Sequence, residues 1–104
     1  HPNFITSKKI TAPSVILFPT SDAISLSGKV VVIEGADPGY DWIFAHRIAG
    51  LITKYGGANS HMAIRCAEFG IPAAIGCGEQ RFDLMLNSNQ IHLDCAAGLI
   101  VPLT

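Results

Sequence analysis

The sequence predicts a layered α/β domain, with helices covering one or both faces of a mixed sheet. Three observations support this: short β-branched runs alternate with helix-compatible stretches, the length suits a single core, and the composition is apolar. For 104 residues, folding buries roughly 65% of the unfolded chain's surface, enough for one domain. Hydrophobic residues make up 49% and charged residues 14%, with a mean hydropathy of +0.38, so a disordered tail is excluded.

Residues 1–13 carry Pro2, Pro13 and the polar run Thr6-Ser7-Lys8-Lys9, and read as a linker leading to a first strand at 15–18. Ser27-Gly28-Lys29 is a turn, and the β-branched run at 30–34 is a strand buried on both faces. Residues 40–49 lack Gly and Pro. They read as a helix capped by Asp37 or Asp41, ended by Gly50, with Trp42, Ile43, Ala45 and Ile48 on its inner side. Leu51-Ile52-Thr53 is a strand, stopped by Gly56-Gly57. Ser60 is an N-cap for a helix over 61–69, and Gly70 with Ile71-Pro72 is its stop. A strand at 73–75, a helix over 79–86 and strands at 90–94 and 99–101 complete the chain, the last two as an antiparallel meander over a second small sheet. Periodicity leaves the pairing order open.

Seven basic and eight acidic side chains give a net charge of −1, without a basic run that would suit nucleic acid or a membrane surface. No apolar run approaches the length that spans a bilayer. Three widely spaced cysteines argue against a disulfide framework and for a reducing cytosol. The first residue, His1, suggests a piece excised from a longer polypeptide.

The segment Lys54-Tyr55-Gly56-Gly57-Ala58-Asn59-Ser60-His61 places an imidazole on the first turn of a helix, just after a strand and a glycine turn. A helix N-terminus presents unpaired N–H groups and the positive end of the macrodipole, so an anion arriving at His61 meets donors already in position. Phosphate is the obvious candidate. The same dipole disfavours imidazolium and leaves a neutral ring whose lone pair attacks an electrophile. The segment has neither a P-loop Lys nor a carboxylate cluster for Mg²⁺, which describes a phosphoryl acceptor rather than a kinase centre.

Gly56-Gly57-x-x-Ser60-His61-x-Ala63-Ile64, followed by Gly70-Ile71-Pro72-Ala73-x-x-Gly76, resembles the phosphohistidine, or swivelling, domain of phosphoenolpyruvate-utilising enzymes. These include phosphoenolpyruvate synthase, pyruvate phosphate dikinase and enzyme I of the bacterial sugar phosphotransferase system. The motif lies in residues 51–78, and the resemblance extends over about 28–101. It implies a swivelling β/β/α fold over residues 14–104, cut from a larger multidomain enzyme. His61 is then phosphorylated on Nε2 and carries the group between an ATP-binding domain and a PEP/pyruvate-binding domain of the same parent. Mg²⁺ with ATP or PEP is expected in those partner domains, and no cofactor or metal on this one. Ser60 and the helix amides would hold the phosphate, with Gly56, Gly57, Asn59 and Arg65 positioning it. Asn59 stands where the dikinases often have Thr, so regulation through that Thr does not carry over. Arg65 replaces a common apolar residue, while Ala67 stands where many relatives have Arg. The i, i+4 spacing puts Arg65 on the face of His61, to reach a bound phosphate or to point to solvent.

Plainer roles suit other residues. His46 and His92 read as structural or solvent-facing. Cys66, Cys77 and Cys95 lack zinc spacing, and Cys66 reads as a small buried hydrophobe. Asp37 and Asp41 read as caps, with docking to a partner domain as the sharper alternative. The competing function is a non-catalytic docking or regulatory module that keeps the fold and uses Trp42 and Phe44 as exposed contacts.

Overall fold

The computed structural model describes residues 1–18 and 25–104. In chain order it has strands β1 (Asn3–Ile5), β2 (Lys9–Ile16) and β3 (Val30–Ile33), a 3₁₀ helix (Pro38–His46), β4 (Gly50–Thr53), helix α1 (His61–Phe69), β5 (Ala73–Ile75), helix α2 (Glu79–Met85), β6 (Gln90–Asp94) and β7 (Leu99–Leu103). The predicted α/β architecture is the one found. The seven strands form one mixed sheet in the order β1-β5-β4-β3-β2-β6-β7. Its centre, β5-β4-β3-β2, is parallel, while β1 and the β6–β7 hairpin pair antiparallel at the two ends.

The parallel centre follows from the β-branched run. Val30, Val31, Val32 and Ile33 are all fully buried, as a strand covered on both faces must be. Val31 and Ile33 face one core with Leu51, Ile75, the 3₁₀ helix residue Ile43 and the α1 residues Met62, Ala63 and Cys66. Val30 and Val32 face a second core with Ile52, Phe82 and Met85 of α2, and Ile91 and Leu93 of β6. The sheet therefore curls, bringing its antiparallel end over the second face.

Three expectations are corrected. The stretch read as a connecting segment contains β1 and most of β2, so the first long strand begins at Lys9 rather than residue 15. Pro13 argued against a strand because it lacks an N–H for the ladder. It sits where β2 changes neighbours: Lys9–Pro13 pair with β6, and Ser14–Ile16 with β3. Each half thus has only one ladder partner, and the proline interrupts neither.

The helix expected over 40–49 is a 3₁₀ helix that starts earlier and ends at His46, with Arg47 in the left-handed region at φ 51°. Its inward residues follow the tighter turn. Ile43 is buried, and Tyr40 and Phe44 pack against the same core, while Trp42 is 47% exposed and Ala45 faces solvent. Gly50 is not the helix stop but the first residue of β4; a Cβ there would meet Ile10 at 3.0 Å and the Pro72 carbonyl at 3.1 Å.

Candidate functional site

The site lies outside the carboxyl ends of β3 and β4, where ligands of parallel sheets usually bind. β3 runs into the 3₁₀ helix, and β4 into the glycine loop and α1. Thr53, a fully buried polar residue, fastens that loop. Its hydroxyl donates to the Tyr55 carbonyl at 2.8 Å and accepts from the Gly76 N–H at 2.9 Å. The two strand ends stay linked beyond the sheet through Lys54 N–H to the Ile33 carbonyl and Tyr55 N–H to the Glu34 carbonyl, at 3.0 and 2.8 Å.

The glycines differ in role. Gly56 has φ +130°, and a Cβ on it would lie 2.6 Å from Ala36 Cβ; Gly76 has φ +77° and would place a Cβ 2.3 Å from the Gly56 carbonyl oxygen. These two are a backbone clasp. Gly57 has open space where a side chain would be, and its carbonyl accepts the Ser60 N–H at 3.0 Å. Asn59 is exposed.

Helix α1 begins and ends where its capping residues require. Ser60 has extended backbone, and its hydroxyl accepts from the Ala63 N–H at 3.4 Å. Gly70 is left-handed at φ 67° and closes the other end. Met62, Ala63 and Cys66 face the core, which turns His61 and Arg65 outward.

The imidazole of His61 is 43% exposed, and its Nε2 lies 2.9 Å from Asp41 Oδ1. A carboxylate only accepts, so Nε2 is the donor of this contact, and whenever the ring is neutral its lone pair lies on Nδ1. Arg65 Nε donates to the same Asp41 oxygen at 3.1 Å. The Arg65 guanidinium lies over Phe69 at 4.7 Å and Phe44 at 5.7 Å, two rings that themselves pack 5.5 Å apart. Arg65 therefore shares the face of His61 instead of pointing away to solvent. His61 donation, together with the Arg65 charge, holds the Asp41 carboxyl below the usual carboxylate range.

Of the residues singled out from sequence, the fold joins His61 with Arg65, sets Ser60 beneath them as the cap, and gives Gly56 a packing role. Asp41 was read as a cap, and this is corrected: Asp37 caps the 3₁₀ helix, accepting the Gly39 N–H at 2.8 Å, and Asp41 turns to His61. The available signal was a second carboxylate one turn into a helix whose cap was already supplied. Phe44, expected as an exposed contact, is half-buried against Phe69. His92 Nδ1 bonds Thr11 across the β2–β6 ladder at 2.7 Å, and His46 meets the Trp42 ring edge-on. All three cysteines are buried and free. Among the described residues, no three His, Cys, Asp or Glu side chains converge as a metal site, and no helix is long and apolar enough to cross a membrane.

The family described as "PEP-utilising enzyme, mobile domain" matches residues 25–98. The chain belongs to this family. The mobile domain is 35% identical over 72 residues to phosphoenolpyruvate synthase of Neisseria meningitidis, covering 69% of this chain and 9% of that protein. It is 34% identical to phosphoenolpyruvate synthase of Escherichia coli, over 68% of this chain and 9% of that protein. Against rifampicin phosphotransferase of Bacillus cereus it is 28% identical, over 92% of this chain and 11% of that protein. The mobile domain thus spans about a tenth of the length of these curated relatives. In fold, it superposes on the solution NMR structure of a UPF0107 protein with a TM-score of 0.77, at 12% identity, over 99% of this chain and 97% of the other.

Proposed function

We propose that this mobile domain is the phosphoryl carrier of a phosphoenolpyruvate synthase-like phosphotransferase, with His61 as the residue that is transiently phosphorylated. The observation that carries the reading is the position of His61: an exposed imidazole on the first turn of a capped helix, inside the segment matched by the family. The ring's lone pair attacks the phosphorus of the donor, the bond to the leaving oxygen breaks, and the helix amides with Ser60 favour the anionic product. Arg65 adds a fixed positive charge on the same face.

Relatives with different names, a phosphoenolpyruvate synthase and a rifampicin phosphotransferase, match 69% and 92% of this chain, so the two matches overlap. That suits a shared carrier whose neighbours choose donor and acceptor. In this reading an ATP-binding domain and a PEP/pyruvate-binding domain of the same polypeptide hold the nucleotide, Mg²⁺ and substrate, and the protein works in the cytosol. Incubating the full parent with ATP or PEP should leave an acid-labile, base-stable phosphate that mass spectrometry maps to His61. His61→Ala should abolish overall transfer while leaving the domain folded. Phosphate mapped elsewhere, or transfer retained by the variant, would overturn the proposal and favour the docking-module alternative.

A further inference from the structure

Asp41 has no capping duty, because Asp37 fulfils it. One of its oxygens instead accepts from both His61 Nε2 and Arg65 Nε, at 2.9 and 3.1 Å. These donors belong to residues one turn apart on α1, and Arg65 is steadied independently by the Phe44 and Phe69 rings. The two side chains thus form a small cationic seat, and a carboxylate fills it.

Filling the seat this way has a chemical consequence. With Asp41 accepting, Nε2 bears a proton and has no lone pair to offer. An oxygen of a phosphoryl group bonded to Nε2 would lie about as far from that nitrogen as Asp41 Oδ1 does now, beside the same Arg65 donor. Two anions cannot share that position.

We propose that Asp41 is a positioning residue for His61: in the unloaded domain its carboxylate holds the ring against Arg65, in the place that a phosphoryl group on Nε2 takes in the loaded domain. Loading exchanges one anion for the other. The Nε2 proton passes by exchange with water to Nδ1, Asp41 swings out, and the freed Nε2 lone pair attacks phosphorus. Arg65 is handed from carboxylate to phosphoryl oxygen without leaving its aromatic bed. Asp41 thereby keeps the empty ring oriented, and its displacement reports loading to the 3₁₀ helix, where the neighbouring Trp42 stands exposed. This rests on His61 being the acceptor.

The test uses the 104-residue chain and potassium phosphoramidate as donor, so it does not depend on the parent enzyme. In that reaction a ring nitrogen bonds to phosphorus, the P–N bond breaks with its electron pair leaving on ammonia, and the Nδ1 proton passes to solvent. Isotope-labelled chain is loaded, the phosphate is mapped by mass spectrometry, and NMR follows the Asp41 carboxyl carbon and the Arg65 Nε–H. Loading at His61 should move the Asp41 carboxyl signal to that of a free side chain, while the Arg65 Nε–H stays hydrogen-bonded. Asp41→Asn keeps the shape and removes the charge; it should load His61 several-fold faster than the wild type, with His92 loading unchanged as the internal reference.

A phosphoryl group on Nδ1 with the Nε2–Asp41 contact intact, an Asp41 signal indifferent to loading, or an Asp41→Asn rate equal to wild type would each overturn the proposal. The wild-type spectra decide the matter even if the variant folds poorly. Failure of the parent to phosphorylate His61 would instead defeat the carrier function and leave this exchange measurable.

Discussion

At the scale of single residues, the shared acceptor Asp41 sets its own titration. Donation from His61 is the largest cause of its lowered value, followed among the favourable causes by the Arg65 charge; desolvation opposes them. A carboxyl depressed in the folded state keeps its contact above the unfolded value and loses it only as pH falls through the folded one. Carbon-detected titration should therefore give Asp41 a midpoint below the ordinary 3.8. In His61→Ala it should move back up, because the largest lowering cause is gone. A midpoint unmoved by that substitution would show that the contact does not form. The pair is exposed, so its titration should leave global stability almost untouched. His61 and Arg65 were legible together in the sequence because i, i+4 neighbours on a helix share a face. Their partner was not, since Asp41 lies 20 positions from His61 and is delivered by a crossover from the adjacent strand.

At the scale of elements, the glycine loop is held by its neighbours rather than by its own sequence. Gly76 and Gly56 approach so closely that a side chain has no room, and Thr53 ties both ends of the clasp. Gly76→Ala should cost more than about 1–3 kcal/mol, combining left-handed strain with a backbone collision. Gly57→Ala, with open space around it, should stay within about 0.5 kcal/mol of wild type. Urea denaturation of the two variants checks the contrast, and equal losses would contradict it. Helix α1 was readable to the residue because Ser60, Gly70 and Pro72 announce its ends through local chemistry. The 3₁₀ helix was not, because its apolar residues at 40, 43 and 44 fit neither a clean α-helical stripe nor an alternation. β1 and the start of β2 were hidden by Pro13 and a polar run, whose tolerance depends on which neighbour each half of β2 pairs with.

At the scale of the whole molecule, two cores on opposite faces of one sheet carry the stability, and the site sits at the sheet's rim without belonging to either. Cys66 lies in the first core, and burial pushes its thiol up to about 12. A thiol raised in this way favours the folded state below its unfolded value and loses that contribution as pH climbs from 9.0 toward about 12. Cys66 should thus resist iodoacetamide at neutral pH until the domain is unfolded, as peptide mapping after alkylation would register; rapid labelling of the native protein would refute this. The changeover at Pro13 has a mechanical meaning as well. One continuous strand belongs to both the parallel centre and the terminal hairpin, and the proline ring stiffens it where the two meet. The hairpin and the parallel centre that carries the histidine-bearing rim are thus joined through one unbroken strand.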